Sequence, residues 1–461
     1  ITILKYTATP TDNLEASATL LWRTGKNGYT AMDWYDAPDP RPDYYRNLPS
    51  YYWMDDPDYG RQNAEKAAWA QYAWEENIPE YAHLNWDRLY NVNWNNLDAN
   101  GIARSKYVLE ERRVDQNDIN LGANVKWNAS KAFTLTGGIN YKWNRTEYYK
   151  ILDDLLGGNY YVNIDQFAER DFGSAEALIQ NDLDYWMAEG AAEKIAQGGK
   201  YGYDYLAQIR MGEVWANGIF RKGGFVGNLA LSAGYDRFWR EGLMRKGLFA
   251  GLDEFGNPYW LNTQTGEVTA SATPIENGKM ITTYDSNGQA ITSKGKSEVV
   301  DFFTYSAKLG LAQTFSGGHR LSLNAGYFND APTFNQTFVS PRTRNTIIPN
   351  LTTQKTVSAD LNYMYNNNGY SVRVTGFYTK IMDQSDVMSF YDDSQNSFTN
   401  FAMSGIDQRH AGVEIGAQVP LPVKGLSLSG VLSWGEYVYT STPNMTQTVD
   451  NSAEVVFDNQ P

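Results

Sequence analysis

Strict alternation of apolar and polar residues, connections that run alternately short and long, and a surplus of aromatic side chains together predict an all-β fold. Its class is an antiparallel transmembrane β-barrel with long extracellular loops containing short helices. The alternation is plainest over 119–127, where Ile119, Leu121, Ala123, Val125 and Trp127 are apolar and Asn120, Gly122, Asn124 and Lys126 are polar or glycine. A strand turns successive side chains to opposite faces, so this pattern gives one greasy face and one wet one. Aromatics make up 14% of the 461 residues, led by 33 Tyr and 14 Trp. An apolar body with a polar tip suits a headgroup-level belt, and suits a glycan platform as well.

Along the chain, the first clear segment sets Leu14, Ala16, Ala18, Leu20 and Trp22 against Glu15, Ser17, Thr19 and Arg23. After 119–127, Phe133, Leu135, Ile139, Tyr141 and Trp143 oppose Thr134, Thr136, Asn140, Lys142 and Asn144. The stretch 205–219 alternates less cleanly. Phe225, Leu229, Leu231, Ala233 and Tyr235 oppose Asn228, Ser232 and Asp236. Phe303, Tyr305, Ala307, Leu309 and Leu311 lead through Gly317 and Gly318 into Leu321, Leu323, Ala325 and Tyr327. Val357, Ala359, Leu361, Tyr363 and Tyr365 lead into Val372, Val374 and Tyr378, and Ala411, Val413, Ile415, Ala417 and Val419 into Leu426, Leu428, Leu432 and Trp434. These make about twelve strands, each with the roughly 9–11 residues a tilted strand needs to cross hydrocarbon.

A soluble antiparallel sheet also alternates, so the connections decide. Short turns fall at 10–13, 128–131, 222–224, 317–318, 366–369 and 420–424. Long ones fall between them, at 24–115, 151–204, 249–299, 329–354 and 388–405. Strict alternation puts every short turn on one rim and every long loop on the other, as in outer-membrane barrels. No apolar run is long enough for a spanning helix. The mean hydropathy of −0.53 fits a barrel, which shows lipid only every second residue. Trp22, Trp143 and Trp434 are expected in one interfacial girdle and Trp127 in the other. Glu15, Lys126, Asn140, Lys142, Lys308 and Glu414 are expected to face the lumen.

The same composition excludes several function classes. There is no cysteine, so no disulfide framework or thiolate metal site, and three scattered histidines (His83, His319, His410) make no zinc site. A net charge of −14 argues against a nucleic-acid partner. Asp55-Asp56 and Asp153-Asp154 lack EF-hand spacing. No phosphate loop, GxSxG or HExxH occurs, so the sequence predicts neither an enzyme nor a cofactor or metal site.

Loops this long are uncommon unless functional. The first carries the proline-rich run 39–52, expected to be ordered and non-helical, while 61–77 and 174–197 are rich in Ala, Glu and Gln and read as short helices. Arg41, Tyr44, Tyr45, Arg46, Tyr51, Tyr52, Trp53 and Trp86 are the candidate ligand-binding residues, with mutual packing of the aromatics as the alternative.

The run Pro38-Asp39-Pro40-Arg41-Pro42-Asp43-Tyr44-Tyr45-Arg46-Asn47-Leu48-Pro49-Ser50-Tyr51, with Asn85-Trp86-Asp87-Arg88-Leu89-Tyr90 downstream, resembles TonB-dependent receptors of Bacteroidetes. So do Ala331-Pro332-Thr333-Phe334, Val372-Arg373-Val374-Thr375-Gly376-Phe377-Tyr378 and Gly412-Val413-Glu414-Ile415-Gly416. The resemblance covers most of the chain. It implies a barrel of about 22 strands with a plug inside it, energised by the TonB complex. On that reading 1–461 is a middle slice of the barrel domain, with the plug, the TonB-contacting segment and the terminal strands absent. Such a slice has two open edges and is expected not to insert stably alone.

The function expected from this is active uptake of a scarce nutrient across the bacterial outer membrane. The nutrient is a siderophore, cobalamin, oligosaccharide or peptide, captured by the extracellular loops. The partners are outer-membrane lipid, the TonB complex, a small-molecule or glycan ligand and a surface lipoprotein. Two alternatives stand beside it: a passive porin, and a secreted aromatic-rich glycan-binding protein or glycosidase.

Overall fold

The computed structural model describes residues 1–53, 63–285, 287–392 and 397–449, with the backbone alone at 455–460. Twelve long strands form one antiparallel sheet in which chain neighbours pair throughout, a partial barrel. They are β1 (Thr2–Thr11), β2 (Leu14–Trp34), β3 (Tyr107–Trp127), β4 (Phe133–Asp154), β5 (Lys200–Lys222) and β6 (Phe225–Gly242). Then come β7 (Val300–Thr314), β8 (His319–Asp330), β9 (Gln354–Asn367), β10 (Tyr370–Asp392), β11 (Ser397–Pro420) and β12 (Ser427–Tyr439). Beside β12, the far half of β11 pairs with Asn444–Val449, which pairs in turn with Val455–Gln460. The stretch 205–219, the least regular in sequence, lies within β5 and pairs with both neighbours. Among the described residues, β1 pairs only with β2 and β12 only with β11.

Register fixes which side chains share a face. Trp22, Ile119, Trp143 and Arg210 lie in one cross-strand row, and Leu20, Leu121, Tyr141 and Gly212 in the row below. The apolar face is uncovered. Leu231 is 51% exposed and Phe303 61%, yet they belong to the most regular part of the sheet. Facing water, an apolar band this wide would be an aggregation surface; facing hydrocarbon, it is the ordinary solvent contact of a barrel. On each strand the outward row turns polar at about the same level: Asn117 after Ile119, Arg145 after Trp143, Asp301 after Phe303, Lys355 after Val357, Lys380 after Tyr378 and Arg409 after Ala411. Below that level the strands cross a membrane; above it they project beyond one.

That projection corrects the expected loop limits. The sequence places the start of the first loop at residue 24, but β2 and β3 stay in register for eleven further pairs, up to Trp34 opposite Tyr107. Above the belt neither face meets lipid, so polar and aromatic residues occupy both, and the alternation fades while the strand continues. The expected loop at 388–405 is likewise a hairpin, paired as far as Asp392 opposite Ser397, with its register shifted between Ile381 and Asp386.

The proline-rich run is also not free of helix. Tyr45–Asn47 forms a 3-10 turn and α1 spans Pro49–Trp53. Its first residue is proline, whose fixed φ and missing N–H suit the first helical turn. The helix expected at 61–77 is α2 (Ala64–Glu75), N-capped by Asn63; residues 61 and 62 lie outside the described residues. The region 174–197 holds a 3-10 turn at Glu176–Ile179 and a helix at Leu183–Glu189, capped by Asp182 and stopped by Gly190 at φ +64°.

The hydrophobic core sits above the belt. Leu178, Leu183, Trp186, Phe249, Leu261 and Ile281 pack the loops 155–199 and 243–299 together, while Val108, Leu152, Tyr161 and Tyr201 close over the strand ends. Buried Arg240 clamps two loops to β6, donating to the carbonyls of Pro341 at 2.6 Å and Ser293 at 2.7 Å and to Asn345 at 2.5 Å.

Candidate functional site

The long-loop rim holds a cup of about 580 Å³ floored by strand ends and walled by loops. Its floor is an ionic cluster from three adjacent strands. Lys150 Nζ of β4 donates to Asp33 Oδ2 of β2 at 2.6 Å and to Glu110 Oε2 of β3 at 2.9 Å. The Tyr201 hydroxyl donates to Asp33 at 3.0 Å, its ring lies 4.2 Å from Lys150 Nζ, and Arg112 Nε donates to Glu110 at 2.5 Å. Glu110 is fully buried, and both its oxygens are paired, one with Arg112 and one with Lys150. Burial alone drives the Asp33 carboxyl up, but Lys150 and Tyr201 hold it net below its usual range. For Lys150 burial drives the amine down, and the attraction of Asp33 and Glu110 outweighs it.

Gly202 pins one wall. It has φ +74°, its N–H donates to Asn163 at 2.9 Å, and its carbonyl accepts from Lys246 Nζ at 2.5 Å. A Cβ there would run into the Lys150 side chain, so glycine is demanded by both conformation and space. On the opposite wall, Asp165 caps helix α3 (Gln166–Phe172) by accepting from the N–H groups of Phe167 and Ala168. The cap aims Phe167 at the β10–β11 hairpin, where its ring meets Phe398 edge-on at 5.4 Å and Tyr391 at 6.4 Å. Arg342, on the loop 331–353, lies over Tyr203 at 5.1 Å. The cup thus offers aromatic faces, amides (Asn181, Asn400, Gln166) and mostly neutralised charges.

The candidate loop residues fall into two groups. Tyr44, Tyr45, Tyr51 and Tyr52 form a ladder of edge-to-face rings, 4.9, 5.6 and 5.4 Å apart. Arg46 stacks on Tyr45 at 5.4 Å and donates to its hydroxyl at 2.8 Å. These five are brought together, chiefly against one another. Arg41 turns away, paired with Asp39 at 2.6 Å and lying over Trp34 at 5.1 Å. Trp53 and Trp86 stand exposed. Asp55 and Asp56 lie outside the described residues.

The residues expected to face the lumen lie on the polar side of the sheet. Glu15 stands opposite Lys126 in register, Asn140 donates to Glu213 at 3.1 Å, and Lys308 lies over Phe328 at 5.1 Å. Asn140 and Lys308 line one inner-wall hollow with Glu213 and Asp330, while Lys142 lines its neighbour with Asp236. Glu414 is exposed opposite Thr375. A further hollow of about 580 Å³ is lined by Arg320, Asn324, Asp360, Asn362, Arg373 and Thr375, tied by bonds such as Thr375 to Asn362 at 2.7 Å. Of the interface aromatics, Trp22 is half-exposed and donates to Asn117 at 3.0 Å, Trp127 pairs in register with Leu14 and Leu135 at the short-turn rim, and Trp434 is on the edge strand. Trp143 stacks on Arg210 at 4.8 Å.

The cup's floor is not legible from the sequence pattern: Asp33 and Glu110 fall inside the expected first loop and Lys150 at the margin of the second. The available signal is that each continues the inward parity of its strand (Glu15 to Asp33, Lys126 to Glu110, Asn140 to Lys150).

No family model matches this chain, and no curated protein does. Among solved structures, the chain is similar to the copper transporter OprC, at 10% identity and TM-score 0.47, over 97% of this chain and 52% of that one. It is also similar to the ferric-catecholate import receptor Fiu of E. coli K12, at 9% identity and TM-score 0.43, over 96% of this chain and 50% of that one. A third is the FrpB iron transporter of Neisseria meningitidis, at 11% identity and TM-score 0.42, over 95% of this chain and 44% of that one. The chain spans about half the length of each.

Proposed function

We propose that the chain is a sector of an energised transporter of the bacterial outer membrane, the barrel of a TonB-dependent receptor of Bacteroidetes type. It captures a scarce nutrient at the loop rim and passes it along the polar inner wall. The observation that carries this reading is one sheet with three solvents: an uncovered apolar band outside, polar hollows inside, and a walled cup above. A passive pore needs no walled cup, and a secreted glycan-binding sandwich would bury its apolar rows against a second sheet. The cup's charges are largely spent on each other, which favours a ligand held by ring stacking and neutral hydrogen bonds. The nutrient is drawn from siderophores, cobalamins, oligosaccharides and peptides. The TonB complex supplies the energy, and a surface lipoprotein is a proposed partner.

The test is uptake by cells expressing the full-length gene, with a ferric siderophore, cobalamin, an oligosaccharide and a peptide as probes, with and without an uncoupler. Uptake of one probe that the uncoupler abolishes is the expected result. Uptake that survives uncoupling favours the porin, and a protein purified in water without detergent overturns the membrane reading altogether.

A further inference from the structure

Just above the apolar belt, on the outward face of β4, β5 and β6, lies a patch unlike the rest of that level. Arg210 is sandwiched between Trp143 at 4.8 Å and Trp239 at 5.2 Å, and fixed by bonds to the carbonyls of Asn144 at 2.9 Å and Ile209 at 2.8 Å. Lys296 Nζ lies over the other part of the stack, 4.7 Å from the Trp239 ring centre. Arg145 follows Trp143 on the same face, and Arg237 stands opposite Arg210 in register. Four cations and two indoles therefore occupy neighbouring positions. The nearby carboxylates are Asp301, opposite Arg237, and Glu241, opposite Lys296.

Elsewhere on the outer rim two cations at this level are matched, Lys355 with Asp383 at 2.5 Å and Arg409 with Glu436 at 2.7 Å, and higher up the projecting strands Arg113 pairs with Asp115 at 3.1 Å and Lys200 with Glu147 at 2.5 Å. Arg145, Arg237 and Lys296 are exposed, and among the described residues no carboxylate lies within salt-bridge distance of them. In a chain of net charge −14, a local cation excess at one height needs an anion of its own.

We propose that this patch binds the phosphate-bearing headgroup of a glycolipid in the membrane leaflet on the long-loop side. The height selects the partner. Directly below are Ile139, Val214 and Leu231, apolar and exposed, which take the acyl chains. The indoles sit at the headgroup boundary, and guanidinium forks meet phosphate oxygens with short, charge-assisted bonds. This inference goes beyond the transport reading and needs only that the sheet crosses a membrane.

The experiment uses the full-length receptor in detergent, exchanged against lipid A carrying two phosphates, with retained lipid read by native mass spectrometry. Wild type is expected to keep one lipid A through exchange. The triple variant Arg145→Gln, Arg237→Gln, Lys296→Gln should lose it at least tenfold more readily, and Arg145→Lys with Arg237→Lys, which keeps the charge but not the fork, should fall between the triple variant and wild type. High salt should weaken retention, because these contacts are exposed. Lys355→Gln with Arg409→Gln, which removes two paired cations at the same height, should change nothing. Heat-resistant migration checks that each variant is folded. Equal retention by the triple variant, loss in the paired-cation control, displacement by inorganic phosphate alone, or a folded wild type that keeps no lipid A overturns the proposal. The last outcome leaves the membrane-spanning sheet intact.

Discussion

The lower and upper halves of β2, β3 and β4 follow opposite rules of burial. Below Trp22 and Trp143 the apolar side chains are outermost and uncovered, with Leu121, Ile139 and Tyr141 exposed and Asn140 and Lys142 lining hollows on the inner wall. Above it, Val108 and Leu152 are fully buried and charged side chains close over a cup. The backbone ladder runs through both halves, with one register shift near the β3–β4 tip. What changes is the solvent on the outer face. A strand is therefore a neutral scaffold whose side-chain logic is set locally by what it borders, and a hydropathy pattern tuned to one border goes silent at the next.

The sharpest way to break the upper half is Lys150→Met. It leaves half-buried Asp33 and fully buried Glu110 without their shared cation, at a cost of about 3–5 kcal/mol to the platform. Hydrogen exchange should show loss of protection at 107–112 and 149–152, while the belt strands keep theirs. The matching test of the lower half is Leu231→Arg on the outward face, at about 2–4 kcal/mol by denaturant titration in vesicles. Ser306→Arg, on the inner face of the neighbouring strand, should cost far less; equal costs would erase the distinction between the faces. Gly202→Ala, which forces a Cβ into a left-handed position against Lys150, should cost about 1–3 kcal/mol and loosen the cup wall without touching the belt, again read by exchange.

The smallest expected effect is with pH. Asp33 is held below its ordinary value of 3.8, so its contribution is complete above that value and is lost as pH falls through the lower folded value. Lys150 is held above 10.5, so its contribution is complete below that value and is lost as pH rises through the higher folded value. Platform protection should therefore be flat between about pH 5 and pH 9 and fall on both sides. A platform that loosens between pH 6 and 8 would show that other groups control it.

Much of the barrel was legible because the lipid border writes itself into every second residue: Ile119 to Trp127 and Leu321 to Tyr327 could be assigned to a face with no structure at all. The site was hardly legible. The loop candidates stand out in the sequence by aromatic density, and in the structure the rings of Tyr44, Tyr45, Tyr51 and Tyr52 pack edge-on against one another. Phe167 drew no notice, because its place depends on a cap at Asp165 and on a hairpin more than two hundred residues away.

The sequence by itself determined the strands that cross the belt, the face each residue takes there and the rim on which every long loop lies, since period and turn length are local properties of the chain. Only the tertiary structure decided that Asp33, Glu110 and Lys150 meet, that loops 155–199 and 243–299 share one core, and that Arg210 lies between two tryptophans. Those depend on strand register and loop packing between distant segments, where a buried charge or ring is stable only if its partner arrives from elsewhere in the chain.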